Sequence, residues 1–328
     1  MKHGGPSPKP WGTVSSTQKV KCIPTPLYSV GMNRRTFLLS AGAAAAAAAV
    51  PDALAGQAAS PAPQKARFRT GLVAYSYREL LQKKAMTYED LIRIAVETGT
   101  DGIDLTVYWL PATTDDVLLP LRRLAYKNRV DIYSIGTRIR LAQPTAELRD
   151  QQIIELRKWL DVAQKLGATH VRVFGGDKPE GATTEQAIGY AVETLKRGAE
   201  LAGARGLIIG LEDDGGLTDY AKETIEIVSR VNSPWAGMNL DIGNFKPPDV
   251  YGQIEMSIPY AVSTHVKTEI TQDDGKNAPM DWDRVFRMFA AKGFRGYMGL
   301  EYEASDDPVP VVPGYLRKLK ELAVKYSA

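Results

Sequence analysis

The chain has 328 residues, of which 44% are hydrophobic and 24% are charged, with 29 Gly and 20 Pro. These proportions are typical of a soluble globular protein and exclude a collagen-like, disordered or coiled-coil chain. The single cysteine, Cys22, excludes a disulfide framework and a zinc site built on cysteine ligands. Of the 41 Lys and Arg side chains six lie in residues 1–55, against one of the 38 Asp and Glu, so residues 56–328 carry a net charge of −2. A basic surface for nucleic acid is therefore not expected.

The N-terminal segment, residues 1–55, has the features of a targeting sequence rather than of a folded domain. Arg34 and Arg35 stand directly before an alanine-rich apolar run, Phe37–Val50. This run is too short to cross a bilayer, which takes about 20 apolar residues. Ala53–Ala55 then supplies the small residues of a cleavage site.

These features resemble a twin-arginine export signal, the route of proteins that fold before they cross the membrane. We predict cleavage before Gly56, a periplasmic or secreted mature protein, and no stable membrane span after cleavage. An uncleaved anchor or an alanine-rich helix is the alternative. Met32 is a second candidate start, and residues 1–31 would then not be translated. The mature chain has no cysteine, which suits an oxidising compartment.

The rest of the chain divides into a predicted linker, residues 56–67, and one predicted domain, residues 68–328. Short apolar segments recur in this domain every 25–39 residues, the size of one strand–helix–return unit. Their first residues are Gly71, Ile103, Ile132, Val171, Leu207, Gly237, Val262 and Tyr297. Segments with helical periodicity lie between them. Eight alternations predict an α/β fold, a (β/α)8 TIM barrel; an open doubly wound sheet would carry a glycine-rich phosphate loop after its first strand, and this chain has none.

Polar side chains end four consecutive predicted strands, at the edge of a barrel where chemistry is expected. They are Glu212, Asp241, His265 and Glu301. Buried carboxylates are costly unless they are paired, hydrogen-bonded or bound to metal, so four in register predict a site for one divalent metal. Ion pairs at the rim with Lys267 and Arg172 are the alternative.

Three oxygen donors and one imidazole make a hard to borderline metal site. Mn²⁺ is our first choice, and Co²⁺, Mg²⁺ and Zn²⁺ are also open. His170, the other histidine of the mature chain, starts the fourth predicted strand and is expected to be structural. No nucleotide or redox cofactor is indicated.

The four residues and their surrounding motifs resemble the sugar phosphate isomerase/epimerase family of xylose isomerase-like barrels. The specific matches are Val171–Gly176, Leu240–Asn244, His265–Lys267 and Gly299–Glu303. The resemblance implies one divalent metal, often Mn²⁺, that holds a keto-sugar, and it implies that Glu212 and Glu301 move protons at the carbon next to the carbonyl. The family commonly has Asn-His after the first glutamate, where this chain has Asp213 and Asp214, which puts substrate choice and proton order in question.

Further residues at the strand ends are candidates for binding the substrate. Lys267 is a third catalytic candidate, because it could neutralise an oxyanion; an ion pair with Glu303 or Glu269 is its alternative role. Arg138 and Arg172 could contact a hydroxyl or an anionic group, and Glu303 could support Glu301. The predicted substrate-binding residues are Tyr75, Tyr108, Trp109, Arg172, Asn244 and Glu303.

The predicted function is a metal-dependent isomerase or epimerase of a small carbohydrate that works through an enediolate. Export favours a free keto-sugar or oxidised glycoside over a sugar phosphate. A lyase or hydrolase of 3-keto-glycosides would start with the same proton transfer, and a non-catalytic sugar-binding barrel is a further alternative. A related apurinic-site endonuclease would need more histidine ligands and a basic face. The sequence leaves the oligomeric state open.

Overall fold

A computed structural model describes residues 65–327 of the chain, and they form a closed barrel of eight parallel strands. The strands follow one another around the barrel in the order β1, β2, β3, β4, β5, β6, β7 and β10, and β10 closes on β1. The predicted (β/α)8 barrel is confirmed. The barrel strands are β1 (Arg67–Val73), β2 (Gly102–Thr106), β3 (Asp131–Arg140), β4 (His170–Phe174), β5 (Ile208–Glu212), β6 (Ala236–Asp241), β7 (Ala261–Val266) and β10 (Arg295–Leu300).

Helices surround the barrel and return the chain from one strand to the next. They pack through the faces that the periodicity predicted: in the fourth helix Ile153, Leu156 and Leu160 are buried. Capping residues set the helix ends, as at Gly167, whose left-handed φ of 81° ends that helix. The helices are α1 (Arg78–Gln82), α2 (Tyr88–Thr98), α3 (Asp115–Lys127), α4 (Ala146–Leu166), α5 (Thr184–Gly203), α6 (Ala221–Val231), α7 (Val250–Ser257), α8 (Trp282–Ala291) and α9 (Pro308–Tyr326).

Two details differ from the prediction. A short antiparallel pair, β8 (Glu269–Thr271) and β9 (Asn277–Pro279), lies between β7 and α8 and was not predicted. Its strands have three residues each, too few for a periodic pattern. Strand β1 starts at Arg67, before the predicted start at Gly71. The sequence did not indicate this start, because the first residues of the strand alternate between exposed and buried positions and form no apolar run.

The predicted export signal, its cleavage site and the extension before it lie outside the described residues. Within residues 65–327, no helix is both long and apolar enough to cross a membrane. The boundaries of the predicted extension and linker therefore stay predictions.

Candidate metal centre

Four buried side chains meet at the carboxyl ends of the strands. Glu212 and Asp241 are the last residues of β5 and β6, His265 lies near the end of β7, and Glu301 directly follows β10. Asp241 pairs directly with His265, whereas Glu212 pairs with Asn239 and the partner of His265 on β10 is Gly299, two residues before Glu301. The stagger that accompanies strand tilt in a closed barrel brings the four side chains together. One ligand atom from each residue lies within 4.8 Å of the others. The structure thus brings together the four residues that the sequence singled out.

The spacing of these atoms fits a single cation. The Nδ1 atom of His265 lies 2.6 Å from Glu212 Oε1, 3.4 Å from Glu301 Oε2 and 3.9 Å from Asp241 Oδ2. Donor atoms about 2.1 Å from a metal stand about 3 Å from one another. In addition, Asp241 Oδ2 and His265 Nδ1 are buried. Lys267 Nζ and Glu212 Oε1 lie close to them, but neither atom forms a hydrogen bond of good geometry among the described residues. The group could hold one metal ion through these atoms.

His265 is oriented by a carboxylate that the sequence analysis missed. Asp104 of β2 is buried, and its Oδ2 atom lies 3.4 Å from His265 Nε2. Although burial raises the pKa of Asp104, His265 holds that pKa below its usual range. An imidazole that gives its Nε2 proton to Asp104 keeps the Nδ1 lone pair for a metal. The one available signal was an acid between two apolar residues, Ile103 and Leu105, in a short predicted strand.

Glu212 is held from two sides. Arg172 of β4 places its Nε atom 3.0 Å from Glu212 Oε2, and the side-chain amide of Asn239 donates to Glu212 Oε1 at 3.0 Å. Arg172 also donates to the carbonyl of Thr137 and to the hydroxyl of Tyr108. Arg172 is buried, and its guanidinium fixes the position of Glu212. The Arg172 side chain also forms part of the cavity wall.

Lys267 lies among three carboxylates. Its Nζ atom is 3.3 Å from Asp241 Oδ2 and 2.7 Å from Glu301 Oε2, and it also bonds to Glu303. Burial alone would lower the pKa of Lys267, but Asp241 and Glu301 raise it well above its usual range. These carboxylates stabilise the ammonium in its protonated form, which suits neutralisation of an oxyanion.

The ion pairs with Lys267 and Arg172, which were the alternative to a metal site, are therefore present. They do not balance the negative charge of the buried carboxylates. With His265 neutral, the buried carboxylates of the centre carry four negative charges against two positive charges on Arg172 and Lys267. The four carboxylates are those of Asp104, Glu212, Asp241 and Glu301. An excess of two buried negative charges is costly, and a divalent cation would balance it. The residues present fit a bound divalent metal.

Without such a cation, the pKa values of His265 and Asp241 shift toward protonation. Although burial lowers the pKa of His265, Glu301 and Glu212 raise it well above the usual range. The pKa of Asp241 is also raised well above its usual range, but here burial is the cause, and Lys267 opposes only part of that rise. For Glu301 the balance is reversed, because Lys267 and His265 outweigh burial and hold its pKa well below the usual range.

The two aspartates that depart from the family pattern have different surroundings. Asp213 is fully buried and accepts a hydrogen bond from the backbone nitrogen of Asp241 at 2.9 Å. Burial and the nearby Asp241 carboxylate raise the pKa of Asp213 well above its usual range. Asp214 faces the pocket, and burial and Glu212 raise its pKa.

A cavity of about 290 Å³ opens beside the centre and is lined by two of its four residues, Glu212 and Glu301. It is close to the lower end of known ligand pockets, about 300–1,000 Å³, and suits a monosaccharide. Trp109 is the one predicted substrate-binding residue outside the lining; it stacks on Tyr75 with ring centroids 6.0 Å apart. The predicted residues that line the cavity are Tyr75, Tyr108, Arg172, Asn244 and Glu303, and Arg138, which the sequence analysis named as a contact for a hydroxyl or an anionic group, lines it too. The lining residues that the substrate-binding prediction missed are Arg140, Phe174 and Asp214.

The second histidine, His170, lies deeper in the barrel. Its Nδ1 atom is 2.8 Å from the hydroxyl of Ser134, and no carboxylate lies within ion-pair distance of it among the described residues. Burial lowers the pKa of His170 to about 4. It is a neutral core residue, in agreement with the structural role predicted for it.

Comparison with known proteins now adds to this geometry. The sequence profile described as "Xylose isomerase-like TIM barrel" matches residues 92–322, most of the chain. The chain belongs to this family. No curated protein sequence matches the chain.

Solved structures share the fold at low sequence identity. The IolI protein with a bound zinc atom is 16% identical, with a TM-score of 0.67 over 79% of this chain and 99% of that chain. D-psicose 3-epimerase from Clostridium cellulolyticum is 17% identical, with a TM-score of 0.61 over 79% and 98%. 3-Keto-D-glucoside 4-epimerase from E. coli is 13% identical, with a TM-score of 0.59 over 79% and 100%. At these identities the likeness shows the fold alone.

Proposed function

We propose that this protein is a metal-dependent isomerase or epimerase of a keto-sugar. The observation that carries the proposal is the buried centre of Glu212, Asp241, His265 and Glu301 beside a sugar-sized cavity. Family membership and sugar epimerases among the structural neighbours support it. A non-catalytic sugar-binding barrel would not need this concentration of buried charge.

Bound to the four residues, a divalent metal would act as a Lewis acid that stabilises the enediolate of the substrate. Mn²⁺ is our first choice because three of the four ligands are carboxylates. Zn²⁺ has a structural neighbour in its favour. Metal analysis of the protein, purified without added metal and then reloaded from a mixture of cations, tests the preference.

The two glutamates of the centre are placed to move protons. Glu212 and Glu301 both line the cavity, and they approach it from β5 and β10, which β6 and β7 separate around the wall. One carboxylate can take the proton next to the carbonyl, and the other can return a proton from its own side. Lys267, which is 2.7 Å from Glu301 Oε2, neutralises the negative charge that develops on the substrate oxygen.

Proton transfer can be measured without knowledge of the product. The protein is incubated in D₂O with a panel of ketoses and 3-keto-glycosides, and deuterium uptake at the carbon next to the carbonyl is followed by NMR. We expect uptake into at least one member. Absence of uptake from the whole panel with a metal-loaded protein would contradict the proposal.

The variant Glu301→Gln distinguishes the role of Glu301 in proton transfer from that of Glu212. The amide oxygen can still bind metal, so occupancy should change little, while turnover should fall by about 10²-fold or more, the usual effect of losing a positioned acid or base. Exchange should persist on the side that Glu212 serves while net conversion stops. Glu193→Gln, on the exposed outer surface, is the control. Near-normal turnover of Glu301→Gln would remove Glu301 from catalysis.

A lyase or hydrolase of 3-keto-glycosides is the second candidate, because it begins with the same proton transfer. Release of an alcohol from a 3-keto-glycoside would favour it over epimerisation, and the same NMR experiment detects that product.

We further propose export by the twin-arginine route, on the basis of Arg34 and Arg35 before the apolar run. Mass spectrometry of the periplasmic fraction should find a mature N-terminus at Gly56. An intact N-terminus on cytoplasmic protein would contradict export.

A further inference from the structure

The part of the cavity wall that β3 and β4 form is basic. Arg138 and Arg140 come from the end of β3 and Arg172 comes from β4, whereas the acidic lining residues come from the ends of β5 and β10, with Lys267 after β7 between them. Two of the three arginines have carboxylate partners. Arg172 pairs with Glu212 at 3.0 Å, and Arg140 pairs with Asp177 at 2.9 Å.

Arg138 differs from the other two, because no carboxylate lies within ion-pair distance of it among residues 65–327. Its guanidinium stacks on the ring of Tyr108, with 3.8 Å between Cζ and the ring centroid. The ring is itself fixed, since the Tyr108 hydroxyl donates to the carbonyl of Thr137 at 3.1 Å and accepts from Arg172 at 3.1 Å. Arg138 is therefore held in place by its face, and the N–H groups at its edge are free to bind a ligand.

The acids of the cavity do not supply the missing partner. Glu212 is engaged by Arg172, and Glu301 and Glu303 are engaged by Lys267. Asp214 lines the same cavity but lies beyond ion-pair distance of Arg138. Successive contacts connect Arg138 to Tyr108, Tyr108 to Arg172 and Arg172 to Glu212, so one small molecule can reach both the guanidinium and the metal ligands.

We propose that Arg138 binds an anionic group on the substrate, so that the substrate is an acidic keto-sugar. This inference rests on the proposed function. The ketone end lies at the metal centre, and a carboxylate or phosphate at the other end accepts hydrogen bonds from the guanidinium edge. Arg is suited to this task because its planar fork matches both groups. Arg140 lines the same cavity, but Asp177 offsets its charge, so Arg138 is the arginine that is left to bind the anion.

Three polyols test the inference without any turnover, because none of them has a ketone. They are D-glucitol, D-gluconate and D-glucitol 6-phosphate, and calorimetry gives their affinities for the metal-loaded and the metal-free protein. We expect the anion of the matching type to bind at least about tenfold more tightly than D-glucitol, the effect of one charge-assisted pair. The metal-free measurement excludes chelation of the metal by gluconate as the cause.

Variants at Arg138 connect the preference to this residue. Arg138→Met should reduce the preference to less than about threefold, and Arg138→Lys should retain part of it. Arg284→Met is the matched control, since Arg284 also stacks on a tyrosine, Tyr251, at 3.9 Å, but on α8 outside the cavity. Arg138 is exposed, so these variants should keep the wild-type melting temperature.

The outcomes distinguish the two proposals. Tighter binding of gluconate alone identifies a carboxylate substrate, and tighter binding of glucitol 6-phosphate alone identifies a sugar phosphate. Equal affinity for all three polyols, or a preference that survives Arg138→Met, would overturn the inference even if neutral ketoses take up deuterium. Conversely, a preference that depends on Arg138 in a protein that never exchanges a proton would support the anion site and refute the proposed function.

Discussion

Two histidines in the same barrel show how surroundings decide the role of a residue. His265 and His170 are both buried, yet the pKa of His265 is raised well above its usual range, whereas that of His170 is lowered to about 4. The difference is the set of carboxylates around His265, which more than offsets its burial. His170 has a serine hydroxyl instead. The carboxylates around His265 thus suit a cation, whereas the surroundings of His170 keep its imidazole neutral.

The largest expected effect is the loss of metal when His265 is removed, and removal of His170 is the comparison. His265→Ala deletes a metal ligand, so we expect at most a tenth of an equivalent of metal after dialysis, and loss of α-proton exchange by about 10²-fold or more. His170→Gln should keep about one equivalent of metal. Plasma mass spectrometry gives both numbers. Equal metal content in the two variants would mean that the group of carboxylates around His265 is not the metal site.

The carboxylate that orients His265 should have the next largest effect. Asp104→Asn removes a charge that faces His265 Nε2, and loss of such a partner typically costs about 10–100-fold in metal affinity. Competition with a chromogenic chelator measures this affinity. Asp101→Asn is the control, because Asp101 lies just before the same strand and pairs instead with Lys320 at 2.7 Å. Unchanged affinity in Asp104→Asn would show that His265 needs no support from β2.

The last expected effect is on folding rather than on the metal centre, and it is the pH dependence that His170 gives to the free energy of unfolding. The folded protein keeps His170 neutral down to about pH 4, whereas the unfolded chain binds this proton near pH 6.5. The unfolded state thus binds more protons between these values, so this contribution is complete above pH 6.5 and is lost as the pH falls towards 4. It amounts to roughly 3 kcal/mol in the free energy of unfolding.

Denaturant unfolding at several pH values measures this contribution. His170→Gln should be less stable than the wild type at pH 7 but should lose less stability between pH 6.5 and 4. Parallel stability curves for the two proteins would contradict a buried neutral imidazole.

The sequence was informative where one residue type stands out against an apolar strand. The repeated strand and helix periods predicted the barrel, and Glu212, Asp241, His265 and Glu301 stood out because each ends a predicted apolar strand. Asp104 was missed because it lies inside a strand, where side-chain direction depends on the register with its neighbours. That Arg138 has no carboxylate within ion-pair distance among the described residues could not be predicted either, since it depends on which side chains the fold places near it.

Titration of metal-free protein with Mn²⁺, with deuterium exchange into a responsive keto-sugar as the readout, tests the central claim most directly. We predict that the exchange rate rises from near zero to a plateau at one equivalent of metal. Asp241→Ala should stay near zero, because it lacks the ligand whose buried Oδ2 atom forms no hydrogen bond of good geometry among the described residues. Full exchange by metal-free wild-type protein, or the wild-type rise in Asp241→Ala, would contradict a metal-dependent centre at Glu212, Asp241, His265 and Glu301.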